Sequence, residues 1–324
     1  MKLEVFEETA TKTIITKAFA SDWEGGWRYT VNCYRGCIHG CTYCFARRYH
    51  EYLGYGAGTD FETKIVVKPR APELLRFELK KLAGRIPHLD FSFATDPYIP
   101  LEAEYNLTRR CLEVCVDFRI PVTIVTKSPL VVRDIDVLKR LKKVSVYFSL
   151  PFLSKEKSNP FEPFAPVPEV RFRAMARLAE KGIETGIAIA PLIPGYNEPD
   201  IPRLLERAKE CGARRAFVSL LHIDTDSIEQ YFLAKMREKL SEPAVRKIMN
   251  AIRRERGGSL RHRTYKERLT GQTEQWAVAR RLFEFQVRRL GLATTQSPTM
   301  GDNEVGEVAT GPSDSAIAQP SLFG

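Results

Sequence analysis

Apolar positions along this chain fall into two alternating rhythms. Short apolar or β-branched runs read as strands at Trp27 to Val31, Leu89 to Phe93, Pro121 to Val125, Val144 to Leu150, Ile183 to Ala190 and Ala216 to Leu221. Helical spacing separates most of them. Leu107 to Phe118 places Leu107, Cys111, Leu112 and Cys115 on one side, and Val131 to Leu141 does the same with Val132, Ile135, Leu138 and Leu141. Further helices are expected over Glu169 to Lys181 and Asp200 to Cys211. Repeated βα units predict a parallel sheet, because each right-handed crossover returns the chain in the same direction. Six units fall short of the eight that close a TIM barrel. The expected fold is therefore α/β, a partial (β/α)6 TIM-like barrel open on one side to a large substrate.

The rhythm divides the chain into four. Residues 1–26 form an N-terminal lead-in and residues 27–226 the barrel. Residues 227–292 are helical only, at Ile228 to Lys239, Pro243 to Arg256 and Thr273 to Leu290, an appendage expected to pack on the barrel. Residues 293–324 carry Asp302, Glu304, Glu307 and Asp314 with no Lys or Arg, which predicts a disordered acidic tail.

Composition adds location and charge. No apolar run approaches bilayer length, so no membrane association is expected. The acidic start MKLEVFEETATKT lacks the apolar core of a secretory signal. Seven cysteines, four of them between Cys33 and Cys44, fit metal ligation in a reducing cytoplasm better than a disulfide framework. The net charge of +10 is uneven. From Arg246 to Arg268 nine basic residues face only Glu255 and Glu267, a field that would attract nucleic acid and weaken with salt. A merely solvated basic face is the competing reading.

The segment Cys33-Tyr-Arg-Gly-Cys37-Ile-His-Gly-Cys41-Thr-Tyr-Cys44 carries the chemistry. Four thiolates leave an iron–sulfur cubane no vacant iron, whereas three in one tight loop leave a corner open. Gly36 and Gly40 allow the backbone to fold around an inorganic core. Among the four cysteines only Cys37, Cys41 and Cys44 have the spacing C-x3-C-x2-C, with aromatic Tyr43 before the last. Cys33 reads as a bystander at a strand end. A zinc site enlisting His39 or His50 is the alternative, but Cys111, Cys115 and Cys211 offer no distant C-x2-C pair.

This spacing and the strands after it resemble the radical S-adenosylmethionine (SAM) superfamily. NCYRGCIHGCTYCFAR is similar to an uncharacterised branch akin to spore photoproduct lyase, whose members usually have Pro in place of Cys33. The resemblance implies a [4Fe–4S] cluster on Cys37, Cys41 and Cys44, with SAM chelating the fourth iron. It implies a 5'-deoxyadenosyl radical that abstracts hydrogen, and an electron donor of flavodoxin or ferredoxin type. FATDP at Phe93 to Pro97, VTKSPL at Val125 to Leu130 and FSL at Phe148 to Leu150 match positions that hold the methionyl part of SAM in the lyase.

Chemistry at those strand ends supports the match, since barrel catalytic faces lie at the C-terminal ends of strands. Asp96 is expected to accept from the SAM ammonium with Thr95 in support. Lys127 offers a cation to the carboxylate, Ser149 a hydroxyl, and Tyr43 a neighbour for the adenine. The lyase's hydrogen-returning cysteine has no counterpart, because Phe93 and Ala94 occupy its neighbourhood. That departure argues against thymine-dimer reversal by the same route, with Tyr98 or a cysteine from elsewhere as alternative donors. Glu102, Glu104, Tyr105 and His222 also stand near strand ends, as credible in packing as in catalysis. Three functions follow: a radical SAM enzyme acting on nucleic acid, one acting on a peptide or small metabolite, or a non-catalytic iron–sulfur or zinc module.

Overall fold

The computed structural model describes residues 2–19, 27–82, 84–91, 94–261 and 270–294. Six parallel strands form its centre in the order β3 (Trp27–Val31), β6 (Leu89–Phe91), β7 (Val122–Thr126), β8 (Val144–Ser149), β9 (Glu184–Leu192) and β10 (Arg215–Leu220). Those are the six expected βα units of a partial barrel. In β8 the five residues Ser145 to Ser149 are all buried, as a parallel strand covered on both faces requires.

Two edges were not expected. β2 (Ile15–Phe19) pairs antiparallel with β3 at one end, so the N-terminal lead-in belongs partly to the sheet. At the other end β11 (Ala293–Thr294) pairs parallel with β10. The tail expected from Ala293 therefore begins with two residues of strand, and 295–324 lie outside the described residues. A small second sheet orders β1 (Glu4–Glu7), β5 (Lys64–Val67) and β4 (Tyr34–Arg35), bracing the cysteine loop from outside.

Helices α1 (Ala71–Lys81), α2 (Leu107–Asp117), α3 (Pro168–Glu180) and α4 (Ile201–Glu210) cover the outer face of the sheet. Their apolar sides, such as Leu75, Leu112, Phe172 and Leu205, join one large core with the strands. The helix expected over Val131 to Leu141 is shorter: Pro129–Asp134 is 3-10 helix and only Ile135–Leu138 is α-helical. Buried Asp134 explains the interruption, because Arg109 and Arg133 grip its carboxylate at 3.0 and 2.7 Å. After Cys44 the chain forms a 3-10 turn, Phe45–Arg47, and an α-turn, Arg48–Glu51.

Beyond β10 the three helices separate. α5 (Asp226–Lys239) starts on Thr225, whose hydroxyl accepts from Ile228 N at 3.4 Å, and α6 (Glu242–Glu255) follows it. Their inner faces, with Ile228, Phe232, Met236, Val245, Ile248 and Ile252, form a second core that includes Cys41 and Tyr43. α7 (Glu274–Leu290) runs back along α4 and ends at Gly291, in the left-handed region at φ 61°. Among the described residues no helix is long and apolar enough to cross a membrane.

Candidate active site

The cysteine loop lies between β4 and the helical turn at Phe45. Its two glycines adopt the left-handed conformation, φ 79° at Gly36 and 62° at Gly40, and both are tightly enclosed. A Cβ on Gly36 would stand 2.9 Å from Phe61 O, and one on Gly40 would stand 2.7 Å from the Phe164 ring. Phe61 O also accepts from Cys37 N at 2.8 Å, so the backbone path of the loop is determined from both sides. Cys37 and Cys41 are buried, Cys44 is partly exposed, and all three are free thiols.

Among the described residues no three His, Cys, Asp or Glu side chains converge to hold a single metal ion. A cubane asks for a wider spread, because each cysteine binds a different iron. Three free thiols on one glycine-shaped loop fit that group. Burial pushes the thiols of Cys41 and Cys44 up, against the attraction of Lys127 and, at Cys44, of Arg47. Burial acts the same way on Cys37, but the His39 imidazolium outweighs it and brings Cys37 below the usual thiol range. His39 is pushed up to about 9, since Cys37 and Asp96 together overcome the penalty of its own burial.

Four of the five expected SAM-binding residues divide into two pairs, and Tyr43 stands with the second. Thr95 and Asp96 serve the loop. Thr95 Oγ1 donates to Gly36 O at 2.6 Å. Asp96 accepts from Tyr98 N at 2.9 Å, Thr126 Oγ1 at 2.7 Å and Lys127 N at 2.7 Å, and lies 3.5 Å from His39 Nδ1. Despite its burial, His39, Thr126 and Lys127 hold its carboxyl low, at about 2. Most of its acceptor capacity is thus taken by the chain itself.

Lys127 and Ser149 are less engaged by the chain itself. Lys127 Nζ lies 5.7 Å from the centre of the Tyr43 ring and 3.8 Å from Glu162 Oε1, within ion-pair reach but beyond a hydrogen bond. Ser149 Oγ makes one long bond, to Ala190 O at 3.3 Å. Tyr43 is buried and its hydroxyl donates to Glu162.

Glu162 and Arg171 were not singled out from the sequence, yet they organise this side of the site. Arg171, in α3, bonds Glu162 and donates to Ser149 O at 2.8 Å and Pro166 O at 2.6 Å. Both are almost wholly enclosed. The Glu162 carboxyl sits below the usual range, because Arg171 and Lys127 outweigh its desolvation.

The remaining candidates scatter. Glu102 is buried as a hub, accepting from Thr108 N at 2.9 Å and Arg133 Nη2 at 3.0 Å, which makes it a helix anchor. Glu104 is exposed, and Tyr105 bonds Glu7 at 3.2 Å. His222 lies just past β10 with its ring 5.0 Å from that of Phe45, beside the cysteine loop. Tyr98 is wholly buried, Phe93 lies outside the described residues, and Ala94 N donates to Asn32. Cys33 sits below the loop with its sulfur 3.6 Å from that of Cys111, turned to α2.

The basic stretch divides between surface and interior. Arg246, Lys247, Arg253 and Arg254 are exposed on α6, and none makes an ion pair among the described residues. Arg256 is internal, donating to Thr270 O and Leu221 O at 2.7 Å, and Arg261 pairs with Asp226 and Glu229. Residues 262–268 lie outside the described residues.

Comparison with known proteins bears on the family and the fold. The model of the radical SAM superfamily matches residues 31–208. An uncharacterised protein of Mycobacterium tuberculosis is 34% identical over 202 residues, covering 61% of this chain and 59% of its own length. An uncharacterised protein of Methanocaldococcus jannaschii is 34% identical over 169 residues, 52% of this chain and 62% of that one. A radical SAM Nα-GlyT isomerase of Pseudomonas phage M6 is 27% identical over 187 residues, 57% of this chain and 37% of that one. The chain spans about three fifths of the length of the first two of these relatives. Among solved structures, a spore photoproduct lyase variant superposes with a TM-score of 0.64 at 16% identity, over 90% of this chain and 81% of that one, a likeness of fold.

Proposed function

The chain belongs to the radical SAM superfamily, and from that premise we propose that it is an enzyme holding a [4Fe–4S] cluster on Cys37, Cys41 and Cys44, with SAM at the open iron and nucleic acid as substrate. The observation that carries it is the loop itself: three free thiols on a glycine-shaped turn at the catalytic end of a six-stranded barrel. Cluster and SAM together supply a one-electron cleavage to methionine and a 5'-deoxyadenosyl radical that abstracts hydrogen.

The chain's own residues bind and orient. Lys127 offers its ammonium to the SAM carboxylate, and Ser149 adds a hydroxyl from the next strand. Tyr43, fixed by Glu162, backs the adenine. Asp96 and Thr95 act mainly by holding His39, Gly36 and the end of β7 in place. An electron donor of flavodoxin or ferredoxin type reduces the cluster in a cytoplasmic setting.

Nucleic acid is favoured by the basic face of α6, where Arg246, Lys247, Arg253 and Arg254 make no ion pair among the described residues. That helix is seated against the turn after β9, where a Cβ on Gly195 would lie 3.2 Å from Ala251 Cβ. A spore photoproduct lyase of the same fold was captured with a dinucleoside spore photoproduct. With no thiol at Ala94, the proposed reaction is a modification or rearrangement and not lyase-type dimer reversal.

Reduced, anaerobically reconstituted protein should release 5'-deoxyadenosine from SAM, and Cys41→Ala should abolish it. No release by the parent protein would favour a non-catalytic iron–sulfur or zinc module. For the substrate, reversing Arg253 and Arg254 to Glu should weaken single-stranded DNA or RNA binding. The slope of log K against log salt should then fall by about 1.4, at about 0.7 per contact. Unchanged affinity would turn the search to peptides or small metabolites.

A further inference from the structure

Three residues after Cys44 the chain encloses an arginine completely: Arg47 is 0% exposed. Its Nε donates to Cys41 O at 3.0 Å and its Nη2 to Gly40 O at 3.1 Å. Nη1 donates to Ala57 O and Gly58 O at 3.0 and 2.7 Å. Glu62 balances the charge at 2.6 Å. The guanidinium carbon lies 5.0 Å from the centre of the Phe61 ring and 4.1 Å from that of Tyr231. Tyr231 comes from α5, and its hydroxyl donates to the same Glu62 carboxylate.

We propose that Arg47, Glu62 and Tyr231 form a bolt that positions the cysteine loop, so that a helix beyond the matched family region takes part in holding the cluster. The inference rests on Cys37, Cys41 and Cys44 being the cluster's ligands. All five guanidinium donors are used in one rigid fork, and two of their acceptors are the middle of the loop. Neither Gly40 nor Cys41 can swing its carbonyl away without leaving part of a buried charge unsatisfied. Lysine cannot replace the fork, since its three donors radiate from a single atom. Tyr231 covers the guanidinium from the α5 side, and a Cβ on Gly58 would already stand 3.3 Å from its ring. Arg47 and Tyr231 touch no substrate in this scheme; they are positioning residues.

The test uses the full chain, reconstituted anaerobically and then challenged with an iron chelator. Cluster loss is followed by visible absorbance, and melting of the metal-free protein is measured alongside. Outer partners of metal ligands typically matter 10- to 100-fold. Tyr231→Ala and Arg47→Lys should lose cluster about 10-fold faster or more, with Tyr231→Phe less affected. The reduced cluster's electron paramagnetic resonance should shift in Tyr231→Ala, which a purely structural role would not produce. Arg47→Ala puts the fold itself at risk, so Tyr231, which lies outside the loop, is the decisive position. Parental loss rate and parental resonance in Tyr231→Ala would overturn the inference. A parent chain that takes up no cluster would overturn the ligand assignment beneath it instead.

Discussion

The two cores of this molecule are built differently. The large one, between the sheet and its outer helices, is mainly apolar and joins residues such as Ile124, Val146, Phe172 and Leu205, with the buried carboxylates of Glu102 and Asp134 held by Arg133. The small one, under the cysteine loop, joins Cys41, Tyr43, Phe161, Phe232 and Ile248 and lies among buried ions: Arg47 with Glu62, and Arg171 with Glu162. Burial of apolar surface stabilises the first at about 25 cal/mol per Å². In the second, desolvation of each pair offsets much of the attraction within it. The first core makes the fold, and the second fixes where a few atoms stand.

Breaking the large core should give the largest loss of stability with the least specific effect on the site. Phe172→Ala is expected to cost about 3–5 kcal/mol in urea unfolding, with cluster content per folded chain unchanged. A parallel fall in cluster content would mean that the two cores are one unit. Breaking the small core should do the reverse in proportion. Arg171→Met strands the Glu162 carboxylate and is expected to cost about 3 kcal/mol. It should also weaken SAM binding by calorimetry, and adding Glu162→Gln should recover part of the stability.

How much of this contrast was legible in the sequence follows from the same physics. β7 and β8 were readable because a strand buried on both faces must be a run of apolar and β-branched residues. The Gly36 and Gly40 positions were readable because a tight loop needs positive φ. The helix over Val131 to Leu141 misled because apolar spacing says nothing of Asp134, which distant Arg109 pulls inward. Glu162 and Arg171 were invisible for a related reason: Tyr43 meets Glu162 across 119 residues, and no periodicity marks a polar pair. β5 and α1 were not anticipated, although Pro72 in the first turn of α1 was a usable helix-start signal. The cysteine spacing was plain in the sequence, but the residues that fix the loop, Arg47 and Glu62, were not.

Smaller effects sharpen the contrast further. Lys127→Met should leave the unfolding free energy near parental and weaken SAM binding about tenfold, or about 1.4 kcal/mol. Equal SAM affinity would remove Lys127 from the site. Cys211→Ser, on a half-buried residue after α4 and away from both ion pairs, should change stability by no more than about 0.5 kcal/mol and leave SAM binding alone.

We propose above all that Cys37, Cys41 and Cys44 hold a cluster whose fourth iron is open to SAM. Electron paramagnetic resonance of the reduced, reconstituted protein with and without SAM tests it most directly. A [4Fe–4S] signal should appear that changes on adding SAM, persists in Cys33→Ala and vanishes in Cys41→Ala. A signal indifferent to SAM, or one lost with Cys33 and kept without Cys41, would contradict it.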